Sequence, residues 1–316
     1  MRVRGRVLDA VTGAVTLPVA VPRAVMSADV ATAVRSTVVE AAWLGAHVLL
    51  YPLNTRRERA SMEAPPLSVS GLSLVQRSLY VSDVEAAGTP IVLVHGIVDN
   101  RSIFTLLRRA LRRRGFRHVH NFEYGVLATD LRAVAEELGT YVEQVCEERG
   151  AEQVHLIGHS LGGIVARYYV QRLGGDKRVH TVVTLGSPHG GTLPARLVPH
   201  PLLRSLRPGS DIIKELAQPA PGIRTRFVCF WSDHDPIVVP RASARLEHPD
   251  LEAKNVLVRG VGHSSLLVDG RVVRELVSTL AELSPRPAAP PAETPRAPAR
   301  APQLPPRARP RAAPSS

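Results

Sequence analysis

From about Leu67 onward, short apolar runs alternate with helix-patterned stretches, and this alternation constrains the fold more than any other feature of the chain. Ile91 to Val94 (IVLV) is too uniformly apolar for a strand with one wet face, and reads as a strand buried on both sides. Further strands are expected near His118 to Phe122, at Val154 to Gly158, at Val179 to Leu185, at Arg226 to Trp231 and at Asn255 to Arg259. Between them Ser102 to Arg114, Ala128 to Arg149, Ser160 to Leu173 and Arg271 to Leu283 carry apolar residues at helical spacing. The pattern predicts an α/β fold with a mostly parallel central sheet flanked by helices.

Three segments depart from that rhythm. Residues 1–66 read as mainly helical, with Ala, Val and Leu dominant from Ser27 to Leu53 and Arg56, Arg57 and Arg59 directly after. Within the α/β unit, 67–283, the stretch 187–222 is rich in proline and leucine, as an inserted lid or cap would be. Residues 284–316 alternate Pro, Ala and Arg and hold 11 of the 27 prolines; such a tail buries too little apolar surface to offset its ordering entropy and is expected to be disordered.

The charge excludes less than it suggests. The net charge is +12, but the tail alone contributes six Arg against one Glu. Aromatic residues are 4% of the chain and no nucleic-acid-binding motif accompanies the arginines, so nucleic-acid binding is not expected. The arginines of 108–114 read as the solvated face of a helix. No uncharged apolar run of about 18 residues is present, the length a spanning helix requires, and no convincing signal peptide opens the chain. A cytoplasmic or peripherally membrane-associated protein is expected. Cys146 and Cys229 sit in a predicted helix and a predicted strand and read as buried free thiols. Neither a metal nor a cofactor is assigned.

The chemistry concentrates at Gly158-His159-Ser160-Leu161-Gly162, with Gly163 next. This G-x-S-x-G lies after an apolar strand and before a helix, where a sharp turn lifts the serine hydroxyl clear of the sheet. A serine is a weak nucleophile until a base takes its proton, and the base needs an orienting carboxylate. Asp233 and Asp235 follow one later strand and His263 another, so both loops open at the same sheet edge as Ser160. Asp235, which precedes Pro236-Ile237-Val238, is the preferred acid, and His263 is the base. Oxyanion donors are expected from the backbone N–H of Leu161 and of Ile97, the latter in the His95-Gly96-Ile97 exit from an earlier strand.

Taken together, VLVHG, GHSLGG, TLGSPHGGT, SDHDPIV and GVGHSSLL resemble the bacterial lipase family of the α/β-hydrolase superfamily, which includes small Bacillus lipases and actinobacterial triacylglycerol lipases. The resemblance covers about Thr89 to Leu283. It implies the α/β-hydrolase fold, with Ser160, Asp235 and His263 as triad and Ile97 and Leu161 as oxyanion donors. The expected activity is hydrolysis of acylglycerols or similar lipid esters through an acyl-serine. Contact with a lipid or membrane surface belongs to the same expectation. Acyl transfer and short-chain ester hydrolysis would use the same triad, and a non-catalytic binding module is the remaining alternative. The calcium ligands of some larger family members have no match in this sequence.

Overall fold

The computed structural model describes residues 88–97, 101–125 and 128–281. The expectations for residues 1–66, for the start of the α/β unit at 67–87 and for the tail at 284–316 fall outside the described residues.

Six strands form one sheet: β1 (Ile91–Val94), β2 (Val119–Phe122), β3 (Val154–His159), β4 (Val179–Leu185), β5 (Arg226–Trp231) and β6 (Ala253–Leu257). Their order is β2-β1-β3-β4-β5-β6, and every pairing is parallel. The connections include helices α1 (Thr105–Arg113), α2 (Leu131–Arg149) and α3 (Leu161–Arg172), and α6 (Gly270–Ala281) closes the unit. Alternation of side chains along β1 explains why the run had to be apolar throughout. Val92 and Val94 face the core shared with α2 and α3, whereas Ile91 and Leu93 face the core shared with α1 and α6.

Local signals set the helix bounds. Asp130 caps α2, its carboxylate accepting from the N–H of Arg132 at 3.0 Å, and Gly150 ends the helix with φ of 61°. The helix therefore starts at Leu131 instead of Ala128. β6 lies two residues earlier than the sequence suggested, because pairing with β5 begins at Phe227 opposite Ala253. Polar Lys254 and Asn255 fit there because β6 ends the described sheet. Lys254 reaches outward to Glu275, and the Asn255 amide exchanges two hydrogen bonds with the backbone of Leu246.

Residues 187–222 contain two short helices, α4 (Pro201–Ser205) and α5 (Asp211–Leu216). Buried Arg167 on α3 donates to the carbonyls of His189 and Leu216, and Gln171 also donates to Leu216. Arg172 holds the carbonyls of Glu215, Gln218 and Pro219. The end of α5 and the turn after it are thereby fixed to α3, while Leu193–Pro199 carries most of the segment's exposed apolar surface.

Two histidines are sealed in uncharged. His155 on β3 is 1% exposed, meets His180 edge-on at 5.4 Å, and is pushed down to about 3 by burial and then by His180. His189 sets Nε2 3.0 Å from the Thr184 hydroxyl; burial, then Arg167, holds it well below its ordinary value. A histidine depressed in the fold but free when unfolded binds its proton only on unfolding, so stability is intact above about pH 6.5 and falls below it. Each costs about 1.4 kcal/mol per pH unit in that range. Urea midpoints measured from pH 7 to pH 5 should fall accordingly, and replacing His155 with Phe should remove about one proton from the slope. A flat profile above pH 5 would contradict the burial of both rings.

Candidate active site

β3 ends at His159, and the chain turns at Ser160 with φ of 53° and ψ of −122°, the one non-glycine with positive φ among the described residues. Glycines make the turn sterically feasible. A Cβ on Gly158 would lie 2.4 Å from the Cα of Gly163, and one on Gly162 would lie 2.1 Å from the carbonyl oxygen of Val94. The Ser160 N–H donates to Leu185 at the end of β4, which anchors the turn to the neighbouring strand. Leu161 opens α3, so its N–H has no partner within the helix ladder.

One residue beyond Leu185, Gly186 adopts φ of 61°. Its missing side chain leaves room for two others: a Cβ there would come within 3.0 Å of His263 Nδ1 and 3.2 Å of Asp235 Oδ2. These two atoms are 2.7 Å apart, and both residues are buried. The other oxygen of Asp235 accepts from the N–H groups of Ile237 and Val238, at 2.8 and 3.0 Å. Burial by itself would raise the Asp235 pKa. The interaction with His263 and those two backbone donors outweigh it and hold the carboxyl below its ordinary range. On its far side the His263 ring packs against His159, centroid to centroid at 4.8 Å. The turn at Ser160, the loop that carries His263 and the loop that carries Asp235 thus converge at the C-terminal edge of β3, β4 and β5.

Asp233, the alternative acid, points elsewhere. It accepts from the N–H of Gly260 at 2.8 Å and from His234, and so ties its own loop to the loop that carries His263. The Ser232 hydroxyl does the same through the carbonyl of Val261. Sequence reasoning missed both braces, as well as Gly186.

The exit from β1, where one oxyanion donor is expected, lies against the first turn of α3: a Cβ on Gly162 would also sit 2.5 Å from the carbonyl oxygen of His95. Ile97, half-buried, follows two residues later. Tyr124, just past β2, stacks on the His95 ring at 4.3 Å and 8°, and its hydroxyl donates to the His95 carbonyl at 2.9 Å. The sequence offered no signal for this contact. Among the described residues no cluster of three His, Cys, Asp or Glu could hold a metal ion, and no helix is long and apolar enough to cross a membrane. Cys146 and Cys229 are buried free thiols, as read from their neighbours.

Solved structures share this architecture. The mature lipase BlEst2 of Bacillus licheniformis superposes with a TM-score of 0.51 at 18% identity, over 62% of this chain and 92% of that one. Lipase B of Aspergillus fumigatus gives 0.53 at 16% identity, over 69% and 60%. The described unit has the α/β-hydrolase fold. Residues 90–218 of the chain match the palmitoyl protein thioesterase family model. The chain is 29% identical to a triacylglycerol lipase of Burkholderia plantarii over 40% of its length and 38% of that protein's. It is 31% identical to one of Pseudarthrobacter phenanthrenivorans over 33% and 34%. The chain therefore spans little more than a third of the curated relatives that it matches.

Proposed function

We propose that this α/β hydrolase is a serine carboxylic-ester hydrolase acting on acylglycerols or similar lipid esters through an acyl-Ser160 intermediate. The observation that carries the reading is the buried Asp235–His263 pair beside the strained turn at Ser160. Asp235 accepts from Nδ1–H of His263, which keeps the ring proton on Nδ1 and gives Nε2 the lone pair that acts as base. Nε2 takes the Ser160 proton as Oγ adds to the ester carbonyl, and the N–H groups of Ile97 and Leu161 receive the oxyanion. The tetrahedral adduct collapses with the proton passed from His263 to the departing alkoxide. Water, deprotonated by His263, then releases the fatty acid and restores Ser160.

Lipid as the substrate class draws support from the similarity to the two triacylglycerol lipases and from the surface beside the acid loop. Leu193, Leu197 and Val198 are 43%, 84% and 45% exposed, next to exposed Ile237 and Val239. The N–H of Leu193 donates to the carbonyl of Val239, so the two segments form one apolar rim. This rim would rest on a lipid surface, with exposed Arg196 and Arg204 near anionic headgroups.

A single comparison tests substrate class and surface contact together. Wild type and Leu197→Asp should hydrolyse soluble p-nitrophenyl butyrate equally, while the variant should lose about tenfold on a long-chain acylglycerol emulsion by forfeiting apolar burial at the lipid surface. A wild type active only on the butyryl ester would point to a short-chain esterase. Ester product in place of free acid on adding an alcohol would point to acyl transfer. The match to the thioesterase family model favours one second reading, hydrolysis of long-chain acyl thioesters by the same residues, and a palmitoyl thioester belongs in the same assay.

A further inference from the structure

The N–H of Ile97 can stabilise an oxyanion only if the peptide plane that carries it is fixed before the reaction, and a glycine immediately before it leaves that plane free to turn. We infer that Tyr124, acting through His95, is the positioning device that holds this plane. The inference rests on the hydrolase reading above, with Ile97 as an oxyanion donor.

Three contacts make up the device. β1 and β2 run parallel with Val94 opposite Phe122, so continuing the register brings Tyr124 beside Gly96. Tyr124 then grips His95 twice, stacking on its imidazole at 4.3 Å with 8° between the planes and donating its hydroxyl to the His95 carbonyl at 2.9 Å. The gripped imidazole in turn places Nδ1 2.7 Å from the carbonyl oxygen of Gly96. A carbonyl only accepts, so Nδ1 carries the proton in this contact. The Gly96 carbonyl and the Ile97 N–H belong to one peptide unit and point in opposite directions. Fixing the first therefore aims the second.

Both side chains are buried, His95 at 3% exposure and Tyr124 at 8%, so water does not compete effectively for these bonds. The His95 carbonyl also lies against the first turn of α3, where a Cβ on Gly162 would clash with it. Tyr124 and α3 thus both contact the His95 end of the loop, and α3 carries the second donor, Leu161. The loop and the helix that supply the two N–H groups are held in one register.

The test compares Tyr124→Phe, which keeps the stack and loses the hydroxyl, with His95→Phe, which keeps a ring for Tyr124 and loses Nδ1–H. Wild type is first labelled with a fluorophosphonate, and all three proteins are checked for native circular dichroism. On p-nitrophenyl butyrate, Tyr124→Phe should lower kcat about tenfold and His95→Phe about a hundredfold, with KM within about twofold, since removing a donor outright costs 10² to 10³. Affinity for a reversible trifluoromethyl ketone, whose adduct places an oxyanion in the same hole, should fall by the same factors. A merely structural role would not move kcat and inhibitor affinity together at constant KM. Unchanged kcat in folded Tyr124→Phe, or a fall in kcat without loss of ketone affinity, overturns the inference. If His95→Phe fails to fold, the isosteric Tyr124→Phe decides alone. A wild type that neither labels nor hydrolyses would remove the hydrolase reading and this one with it.

Discussion

Ser160→Gly is expected to abolish ester hydrolysis while leaving the protein at least as stable as the parent. The loss of activity follows from removing the nucleophile; in hydrolases of this design, removing the nucleophile alone costs about 10⁶ in kcat. The stability follows from the backbone. Ser160 holds φ of 53° and ψ of −122°, a conformation that costs a residue with a Cβ on the order of 1–3 kcal/mol. Glycine adopts it freely but gives back about 0.5–1 kcal/mol through its more flexible unfolded chain. The net gain should be about 1 kcal/mol in urea unfolding. Ser160→Ala keeps the Cβ and hence the strain, so it should lose activity and fluorophosphonate labelling without the gain. Turnover or labelling retained in either variant would remove Ser160 from the chemistry. A glycine variant clearly less stable than the alanine variant would show that the turn is unstrained.

Much of the framework was legible because it is encoded locally. The bounds of β1, β4 and β5 coincide with those read from their apolar runs, since a strand buried on both faces leaves an uninterrupted signal flanked by turn residues. β6 was misplaced by two residues because it ends the described sheet, and its polar Lys254 and Asn255 look like loop in one dimension. The turn at Ser160 was legible because its glycines stand at fixed spacing around the serine, and Gly158 answers to a clash with nearby Gly163.

What stayed hidden depends on contacts between distant segments. Tyr124 meets His95 across 29 residues, and Arg167 meets Leu216 across 49; neither separation has a periodicity to read. The proline-rich stretch 187–222 reads as an inserted lid or cap, with no signal for where it is anchored. His200 and Ser210 cap short helices there, and buried guanidinium and amide groups of α3 fix the segment's C-terminal end.

The choice between the two carboxylates in Ser232-Asp233-His234-Asp235 has the second large expected effect. Asp235→Asn should lower kcat about 10⁴-fold with the fold retained. The amide oxygen can still accept from Ile237 and Val238, so the loop keeps its shape. The amide nitrogen, however, would face His263 Nδ1 and donate to it, forcing the proton onto Nε2. An imidazole protonated at Nε2 cannot take a proton from Ser160, and the carboxylate that would stabilise the imidazolium is gone. Asp233→Asn should behave differently. Its oxygen can still accept from Gly260 and its contact with His263 is indirect, through the loop, so kcat should fall less than about tenfold and mainly through looser placement of the base. Steady-state kinetics on a soluble ester separate the two. A larger loss at Asp233 than at Asp235 would mean that the working conformation exchanges the two carboxylates. The geometry argues against such an exchange, because the Asp235 carboxyl, nearly sealed from water, would lose His263 and its two backbone donors at once and be left buried without partners.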